Sequence, residues 1–344
     1  MGNLRSAAVR KLVLIGGFAI LSCGCNSKTD PSNPPVIKEE ARNNVVVNDD
    51  HEDNDATIAK CTEAIRLHPN DARALNNRGV EYDAQGHLKK ALADFDEAIR
   101  LKPDYANAFA NRSLVYEKLG EFDKAIADCT EAIRLQPDFA LAFCNRANVF
   151  IKMGDVDKAV EDYSEAIRLK PDFADAICNR GRALQSKGNL SKAIEDYTEA
   201  IRLQPNLVQA FYNRGIANLK SGDLTKAIAD QTEAIRIQPD FAPAYANRGA
   251  AHLENDALSK AISDCSEAIR LRPNLPEAFF NRGVAFGKKG YNENAIGDLT
   301  EAIRLRPNYA QAYNARATGY AAEGENFKAR ADLEQAKKLG YKSK

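Results

Sequence analysis

The sequence is poor in the residues on which most catalytic and metal sites depend. Its 344 residues include no tryptophan, two methionines, four histidines and seven cysteines. The histidines and cysteines lack metal-ligand spacing, and no Ser/His/Asp set, Cys/His set or glycine-rich phosphate loop occurs. These absences predict a protein that is not an enzyme and that has no cofactor, metal site or small-molecule substrate.

Charge and hydrophobicity are both balanced. Lys and Arg together number 48, as do Asp and Glu, and 44% of the residues are hydrophobic. Such a composition is typical of a soluble globular chain rather than a disordered, collagen-like or multi-span membrane protein. Proteins that bind nucleic acid through general electrostatics carry a cationic excess. The sequence therefore predicts no nucleic-acid partner.

The N-terminus has the layout of a targeting segment. Residues 1–11 are short and basic, and an apolar run of 11 residues, 12–22, follows. A run of this length is too short to span a bilayer comfortably and fits the core of a signal peptide. The ending Ile20-Leu21-Ser22-Cys23 resembles the lipobox of bacterial lipoproteins, in which the cysteine is lipidated and becomes the new N-terminus. This resemblance predicts a signal peptide over 1–22 and lipidation at Cys23.

Three other readings of the N-terminus stay open. Cys25, preceded by Gly24, is a rival acceptor, since Leu21 is bulkier than the residue that the lipobox prefers. Plain secretion with a nearby cleavage site is the second alternative. The third is N-myristoylation at Gly2, which the first six residues fit formally but which leaves the apolar run unexplained.

Residues 23–55 separate this segment from the rest of the chain. They contain Pro31, Pro34 and Pro35 and end in the acidic run 49–55. Proline and like charges oppose compaction. The composition predicts a disordered tether.

Eight of the thirteen prolines follow one another at intervals of 34 residues, and a fixed period of this size is typical of a solenoid. Numbering each unit so that this proline is position 32 gives eight complete units. A ninth, partial unit over 56–71 matches only the second half of the pattern. The complete units are 72–105, 106–139, 140–173, 174–207, 208–241, 242–275, 276–309 and 310–343.

Each unit predicts a pair of helices. A large residue at position 4 and a small one at position 8, such as Phe109 and Ser113, have helical spacing and leave room for a close neighbour. Position 15 is Gly in every unit except at Asp256, which suits a left-handed helix cap. The second helix carries Ala at positions 20 and 27 and stops at the periodic proline. The Asp or Asn after that proline is expected to cap the next first helix.

These positions resemble the tetratricopeptide repeat family. Positions 4, 8, 20, 24, 27 and 32 all stand in register, and position 11 is often aromatic, as in Tyr82 and Tyr116. Departures are local: Asn218 and His252 at position 11, and Gln231 at position 24. The resemblance implies an all-α fold, an α-solenoid of stacked helix-turn-helix units that forms a right-handed superhelix lined by first helices.

Arg at position 7 and Asp at position 23 occur in all eight units. A row of arginines could bind anions, but an equal row of acids favours a structural ion pair in every unit, with the Arg stems covering the apolar seam. The sequence thus predicts eight pairs, of which Arg78 with Asp94 is the first.

Position 6 is Asn in seven consecutive units. The row is similar to the asparagine ladder of protein O-linked N-acetylglucosamine transferases, which holds extended peptides by their backbone. An amide offers a donor and an acceptor to one peptide unit, so the row predicts a peptide-binding site. The alternative is that each amide bonds to its own scaffold. The row consists of Asn77, Asn111, Asn145, Asn179, Asn213, Asn247 and Asn281.

Other first-helix positions vary from unit to unit. In the fifth to seventh units, positions 5, 9 and 12 carry apolar residues that stacking alone does not demand, which predicts an apolar docking patch in the groove. No unit combines the Lys at position 5 with the Asn at position 9 that carboxylate-clamp relatives need, which disfavours chaperone tails as partners. The patch consists of Tyr212, Ile216, Leu219, Leu253, Phe280 and Val284.

The cysteines after residue 55 are predicted to form no disulfides. Cys61, Cys129 and Cys265 take position 24 as small core residues. Cys144 and Cys178 occupy position 5 of adjacent units, where the spacing of packed helices, about 8–10 Å, exceeds disulfide reach.

Together these observations predict a non-enzymatic scaffold that binds a protein or an extended peptide in its concave groove. The lipoprotein resemblance implies a bacterial envelope adaptor. The absence of Asp after either candidate Cys implies the periplasmic side of the outer membrane rather than the inner membrane. The alternative is a cytoplasmic regulatory subunit of a multiprotein complex, without lipidation.

Overall fold

The structure is a computed structural model that describes residues 54–342. These residues form 17 α-helices and no strand, which confirms the predicted all-α solenoid class. They divide into two compact bodies, 54–205 and 206–342. The signal peptide, nearly all of the tether, Cys23 and Cys25 lie outside the described residues.

The first body contains a single helix followed by four hairpins, each packed on the next. In each hairpin the first helix and the second helix are antiparallel neighbours joined by a short turn. The helices are α1 (Asn54–Leu67), α2 (Ala72–Ala84), α3 (Leu88–Leu101), α4 (Ala106–Leu119), α5 (Phe122–Leu135), α6 (Ala140–Met153), α7 (Val156–Leu169), α8 (Ala174–Ser186) and α9 (Leu190–Leu203).

The second body contains four more hairpins of the same kind. Its helices are α10 (Val208–Lys220), α11 (Leu224–Ile237), α12 (Ala242–Glu254), α13 (Leu258–Leu271), α14 (Pro276–Lys288), α15 (Asn292–Leu305), α16 (Ala310–Ala322) and α17 (Asn326–Lys338).

Small residues allow the two helices of a hairpin to approach closely. A Cβ atom added to Gly79 would lie 2.7 Å from the ring of Phe95, and one added to Gly249 would lie 2.6 Å from Cys265 Sγ. The alanines at positions 20 and 27 of the complete units are all buried. In seven of the eight hairpins the residue at position 24 is buried, and the small residue at position 8 leaves room for it, as the spacing predicts.

The predicted ion pair is present in all eight complete units. In each, the guanidinium at position 7 donates at least two hydrogen bonds to the carboxylate at position 23, as from Arg146 to Asp162 at 2.7 and 2.9 Å. The guanidinium also lies over aromatic rings, since Arg112 Cζ is 5.5 Å from the Phe109 centroid and 5.7 Å from that of Tyr116. The partners are Arg78–Asp94, Arg112–Asp128, Arg146–Asp162, Arg180–Asp196, Arg214–Asp230, Arg248–Asp264, Arg282–Asp298 and Arg316–Asp332.

The same arginines reach back to the preceding hairpin. Arg146 Nη1 donates to Thr130 Oγ1 at 3.1 Å and Arg112 Nη1 donates to Asp96 at 2.7 Å. In the second body, Arg282 donates to Ser266 at 3.1 Å in the same way. One side chain thus joins both helices of its own hairpin to the second helix of the preceding one. The sequence pattern predicted the first link but not the second.

The predicted helix N-caps are wrong. In seven of the eight complete units the first helix starts at an apolar N-cap residue, at position 34, that makes no capping hydrogen bond. Six of these seven residues are buried, such as Phe173 and Leu275. The Asp or Asn at position 33 instead belongs to the turn, where the Asp104 carbonyl accepts from the Ala106 amide. Packing at position 34 therefore replaces side-chain capping.

The five cysteines that the structure describes are buried or half-buried and form no disulfide, as predicted for residues 61, 129, 144, 178 and 265. Burial raises the pKa of the Cys129 thiol to about 12. At neutral pH this thiol is protonated and unreactive.

The turn between the helices of each hairpin adopts the predicted left-handed conformation. Position 15 has a positive φ in every complete unit. This includes the unit where the residue is not glycine, since Asp256 there has a φ of 55°. A side chain in this region pays a steric cost that glycine avoids.

We predict that Asp256→Gly stabilises the chain, because it removes this strain. The expected gain is about 1 kcal/mol in the free energy of unfolding. The matched control is Gly290→Asp, which places the same side chain at the same position of the next unit, where φ is 82°. Urea unfolding should show shifts of opposite sign for the two variants. Two shifts of the same sign would contradict the strain account.

Candidate peptide-binding face

The candidate site lies on the first helices, where the seven asparagines of position 6 were predicted to face a peptide. In the first body, two of them, Asn77 of α2 and Asn111 of α4, are half-buried. Asn111 Nδ2 donates to Asn76 Oδ1 at 3.0 Å, and Asn76 Nδ2 donates to Asn77 Oδ1 at 3.4 Å. These three amides form a chain from α2 to α4 that keeps part of its surface accessible.

The next two asparagines of the row are enclosed. Asn145 of α6 is 1% exposed and Asn179 of α8 is 2% exposed. Asn179 Nδ2 donates to Asn148 Oδ1 at 3.5 Å, and the same oxygen accepts from the Tyr163 hydroxyl at 2.5 Å. The amide of Asn179 is thus held within the scaffold, as the alternative reading of the row anticipated.

Asn145 differs from these neighbours. Both polar atoms of its side-chain amide are buried, and neither has a hydrogen-bond partner among the described residues. An unsatisfied buried amide costs roughly 1–3 kcal/mol.

The three members of the row in the second body are also enclosed. Asn213, Asn247 and Asn281 are buried between α10, α12 and α14 and their neighbours. Among the seven predicted residues, only Asn77 and Asn111 therefore offer an accessible amide in this structure.

The prediction of an exposed apolar docking patch is wrong. Five of its six residues, Tyr212, Ile216, Leu219, Leu253 and Phe280, are buried, and the sixth, Val284, is half-buried and packs against two of the cores. These side chains belong to the hydrophobic core of the second body.

The reason is the direct contact between first helices of adjacent hairpins. Leu219 of α10 packs against Ala250 and Ala251 of α12, and Leu253 packs against Ala285 of α14. A large residue at position 12 therefore fills the seam between two first helices instead of facing an open groove.

Sequence reasoning missed a set of ion pairs that also join successive first helices. Lys118 Nζ lies 2.6 Å from Asp83 Oδ1, and Lys152 Nζ lies 2.8 Å from Glu117 Oε1. The signal that could have revealed them is a spacing of 35 residues between acid and lysine, one more than the repeat period. These ion pairs place both acidic and basic side chains on the first helices of the first body.

A second polar cluster that the sequence did not indicate lies in the second body. Arg306 pairs with the buried Glu277, and its Cζ is 4.7 Å from the ring centroid of Tyr309. The Tyr309 ring stacks on Phe280, with 5.0 Å between centroids. Burial raises the pKa of the Tyr309 phenol. The cluster closes the seam between α14 and α16.

The described residues hold no group of three or more His, Cys, Asp or Glu side chains that could bind a metal ion. Within the same range, no helix is both long and apolar enough to cross a membrane. The first helices thus pack closely and carry amide and charged side chains on their faces.

Comparison with solved structures supports the fold. The chain superimposes on the crystal structure of the APC/C hetero-tetramer Cut9-Hcn1 with a TM-score of 0.62 and 18% identity over 77% of its length. It spans about half, 52%, of that protein. Lower similarity is found to YrrB, described as a TPR protein with an unusual peptide-binding site, with a TM-score of 0.47 and 23% identity over 55% of this chain and 97% of that one. MamA gives a TM-score of 0.42 and 23% identity over 46% and 93%.

A search of curated proteins finds no significant match. Family models give a clear result. Models described as tetratricopeptide repeat match residues 72–105, 106–139, 212–276 and 276–309, and a model described as TPR repeat matches 147–188 and 181–222. These matches cover more than half of the sequence, and the hairpins, the small-residue contacts and the left-handed turn at position 15 agree with them. The chain belongs to the tetratricopeptide repeat family.

Proposed function

We propose that this protein is a non-enzymatic scaffold that binds an extended polypeptide along the first helices of its first body. Tetratricopeptide repeats form a protein-interaction fold, and the side chains that recur in all eight units, Arg at position 7 and Asp at position 23, are engaged in holding the repeats together. Binding of a polypeptide then depends on residues that take no part in the packing of one repeat on the next.

The observation that carries this proposal is the pair of half-buried amides of Asn77 and Asn111, which the buried Asn76 links by hydrogen bonds. The two half-buried residues sit on consecutive first helices, α2 and α4. Packed helices lie roughly 8–10 Å apart, and an extended peptide advances about 3.3 Å per residue. A bound polypeptide could therefore meet one amide at about every third residue. The lysine and acid pairs beside the amides, such as Lys118 with Asp83, offer charged groups to its side chains.

The proposal includes a membrane tether at the N-terminus. A basic start, an apolar run and a cysteine at its end coincide in the sequence, which supports lipidation at Cys23, or at Cys25, and an adaptor role at the periplasmic side of the bacterial outer membrane. If the N-terminus is not lipidated, the same scaffold serves as a cytoplasmic regulatory subunit.

We predict that metabolic labelling with a radioactive fatty acid marks the chain in a bacterial host. The label should be lost in Cys23→Ser and kept in Cys25→Ser, because only the cysteine at the cleavage site is acylated. Loss in Cys25→Ser alone would move the anchor to that residue. An unlabelled wild-type chain would contradict the tether and favour the cytoplasmic alternative.

The amide chain is tested with peptides selected from a displayed library of random 12-residue sequences. We predict that the double variant Asn77→Ala/Asn111→Ala weakens a selected peptide about tenfold or more, since each lost hydrogen bond contributes about 0.5–1.5 kcal/mol. Titration calorimetry measures the change.

The matched control is Asn213→Ala/Asn247→Ala, which removes the same side chains from the same position in the second body. Because both residues are buried, this variant should lose stability but keep peptide affinity. Equal losses of affinity in the two double variants, or a library that yields no binder, would contradict the proposed site.

A further inference from the structure

One hairpin of the second body, α12–α13, departs from the repeat pattern at position 11. Five of the eight complete units have an aromatic residue there, whereas α12 has His252. This histidine is 9% exposed, and its Nδ1 atom is buried without a hydrogen-bond partner among the described residues. Histidine is the side chain whose ordinary pKa puts its change of charge between pH 5 and 8. The hairpin therefore encloses a group that titrates under mild conditions.

The other ring nitrogen faces the ion pair that holds the hairpin together. His252 Nε2 lies 3.8 Å from Asp264 Oδ2, which is too long for a hydrogen bond but suits an ion pair once the ring is protonated. The same carboxylate accepts hydrogen bonds from Arg248 at 2.8 and 2.9 Å. Arg248 Nη1 in turn donates to Thr232 of α11 at 3.1 Å. A proton on the imidazole thus acts on the arginine that joins this hairpin to the preceding one.

The preceding hairpin, α10–α11, shows how a donor at position 11 affects this ion pair. Its position 11 is Asn218, whose Nδ2 donates to Asp230 Oδ2 at 2.9 Å. There Arg214 Nε lies 3.2 and 3.1 Å from the two carboxylate oxygens. In the other seven units the Nε atom at position 7 has an acceptor at 2.7–2.9 Å. A donor at position 11 is therefore accompanied by longer hydrogen bonds from the arginine to its carboxylate.

The surroundings of His252 favour the neutral ring. Burial is the main influence and lowers the pKa of His252 below its ordinary value of 6.5. Asp264 acts in the opposite direction, and the positive charges of Lys260 and Arg248 lower the pKa further. Below a pH of about 6.5 the unfolded chain thus binds this proton more readily than the folded chain. The stability that the neutral ring confers is present above this pH and is lost as the pH falls.

Charged groups on the other helices packed against α12 are held in pairs of their own. On α14, Lys288 lies 3.5 Å from Asp256. On α10 and α11, Arg214 and Asp230 hold each other at 2.7 Å. The imidazole is therefore faced by two cations, from its own helix and from α13, and by one carboxylate of α13.

We propose that His252 makes the seam between the α10–α11 and α12–α13 hairpins sensitive to pH. In the neutral form the ring fills the place of an aromatic residue, and Arg248 holds both Asp264 and Thr232. In the protonated form the imidazolium attracts the Asp264 carboxylate, as the asparagine does in the preceding hairpin, and Arg248 loses its fixed position. Mild acid thus loosens the contact between the two hairpins. This behaviour depends neither on the proposed peptide binding nor on the membrane tether.

Hydrogen exchange of the full chain, followed by mass spectrometry, measures the response helix by helix. After correction for the intrinsic exchange rate, we predict that the opening equilibrium of α12 and α13 rises about threefold or more between about pH 7.5 and about pH 5. Helices α6 and α7 of the first body, with Phe150 at position 11, should show no such rise. A wild-type chain without the rise in α12 and α13 would overturn the proposal.

Substitutions at position 11 assign the response to His252. His252→Tyr installs a ring that other units have there, as in Tyr320, and should abolish the rise. His252→Asn copies Asn218, so opening should be raised already at about pH 7.5 and should not change in acid. The matched control is His87→Asn, which removes an exposed histidine of the first body and should keep the wild-type response. A rise that persists in either His252 variant, or neutral-pH opening of His252→Asn equal to wild type, would overturn the proposal.

A double-mutant cycle tests the link to the preceding hairpin. We predict that Arg248→Gln and Thr232→Val are coupled by about twofold in the unfolding equilibrium at about pH 7.5 and uncoupled at about pH 5. The matched cycle uses Arg282→Gln and Ser266→Ala, in a hairpin with Phe286 at position 11, and should keep its coupling at both pH values. Equal loss of coupling in the two cycles, or no loss in the first, would overturn the assignment to His252.

Discussion

The interaction on which this structure depends is the arginine at position 7 of each repeat. Its guanidinium holds the Asp at position 23 of its own hairpin, as in Arg282 with Asp298, and reaches a hydroxyl of the preceding hairpin, here Ser266. No tetratricopeptide hairpin can bury its apolar face alone, so the contact between neighbours decides stability. A single side chain that fixes both the hairpin and its neighbour sets how closely successive repeats pack.

Close packing of first helices also determines where a ligand can bind. In the second body the first helices touch through Leu219 and Leu253, and the amides at position 6 are enclosed. In the first body α2 and α4 leave Asn77 and Asn111 partly accessible. Within the first body α6 and α8 also enclose Asn145 and Asn179, so the partly open face is confined to α2 and α4.

Much of the fold could be predicted from the sequence, because its main signals have their effect inside a single hairpin. The periodic proline ends the second helix, the small residue at position 8 lets the two helices approach, and position 15 forms the turn between them. Asp256 was recognisable as the exception and has the predicted positive φ. The N-caps and the burial of Tyr212 and Ile216 were not predictable in this way. Both depend on the distance between neighbouring hairpins, which no single unit encodes. The prediction that positions 5, 9 and 12 face the groove requires neighbouring first helices to lie farther apart than they do in the structure.

The arginine at position 7 couples neighbouring repeats as well as the two helices of its own hairpin. Double-mutant cycles between Arg282 and Asp298, and between Arg282 and Ser266, measure both couplings directly. The account predicts a coupling free energy of about 2 kcal/mol for the first pair and a smaller, favourable value of about 0.5 kcal/mol for the second. Zero coupling between Arg282 and Ser266 would contradict it, because the arginine would then hold only its own hairpin.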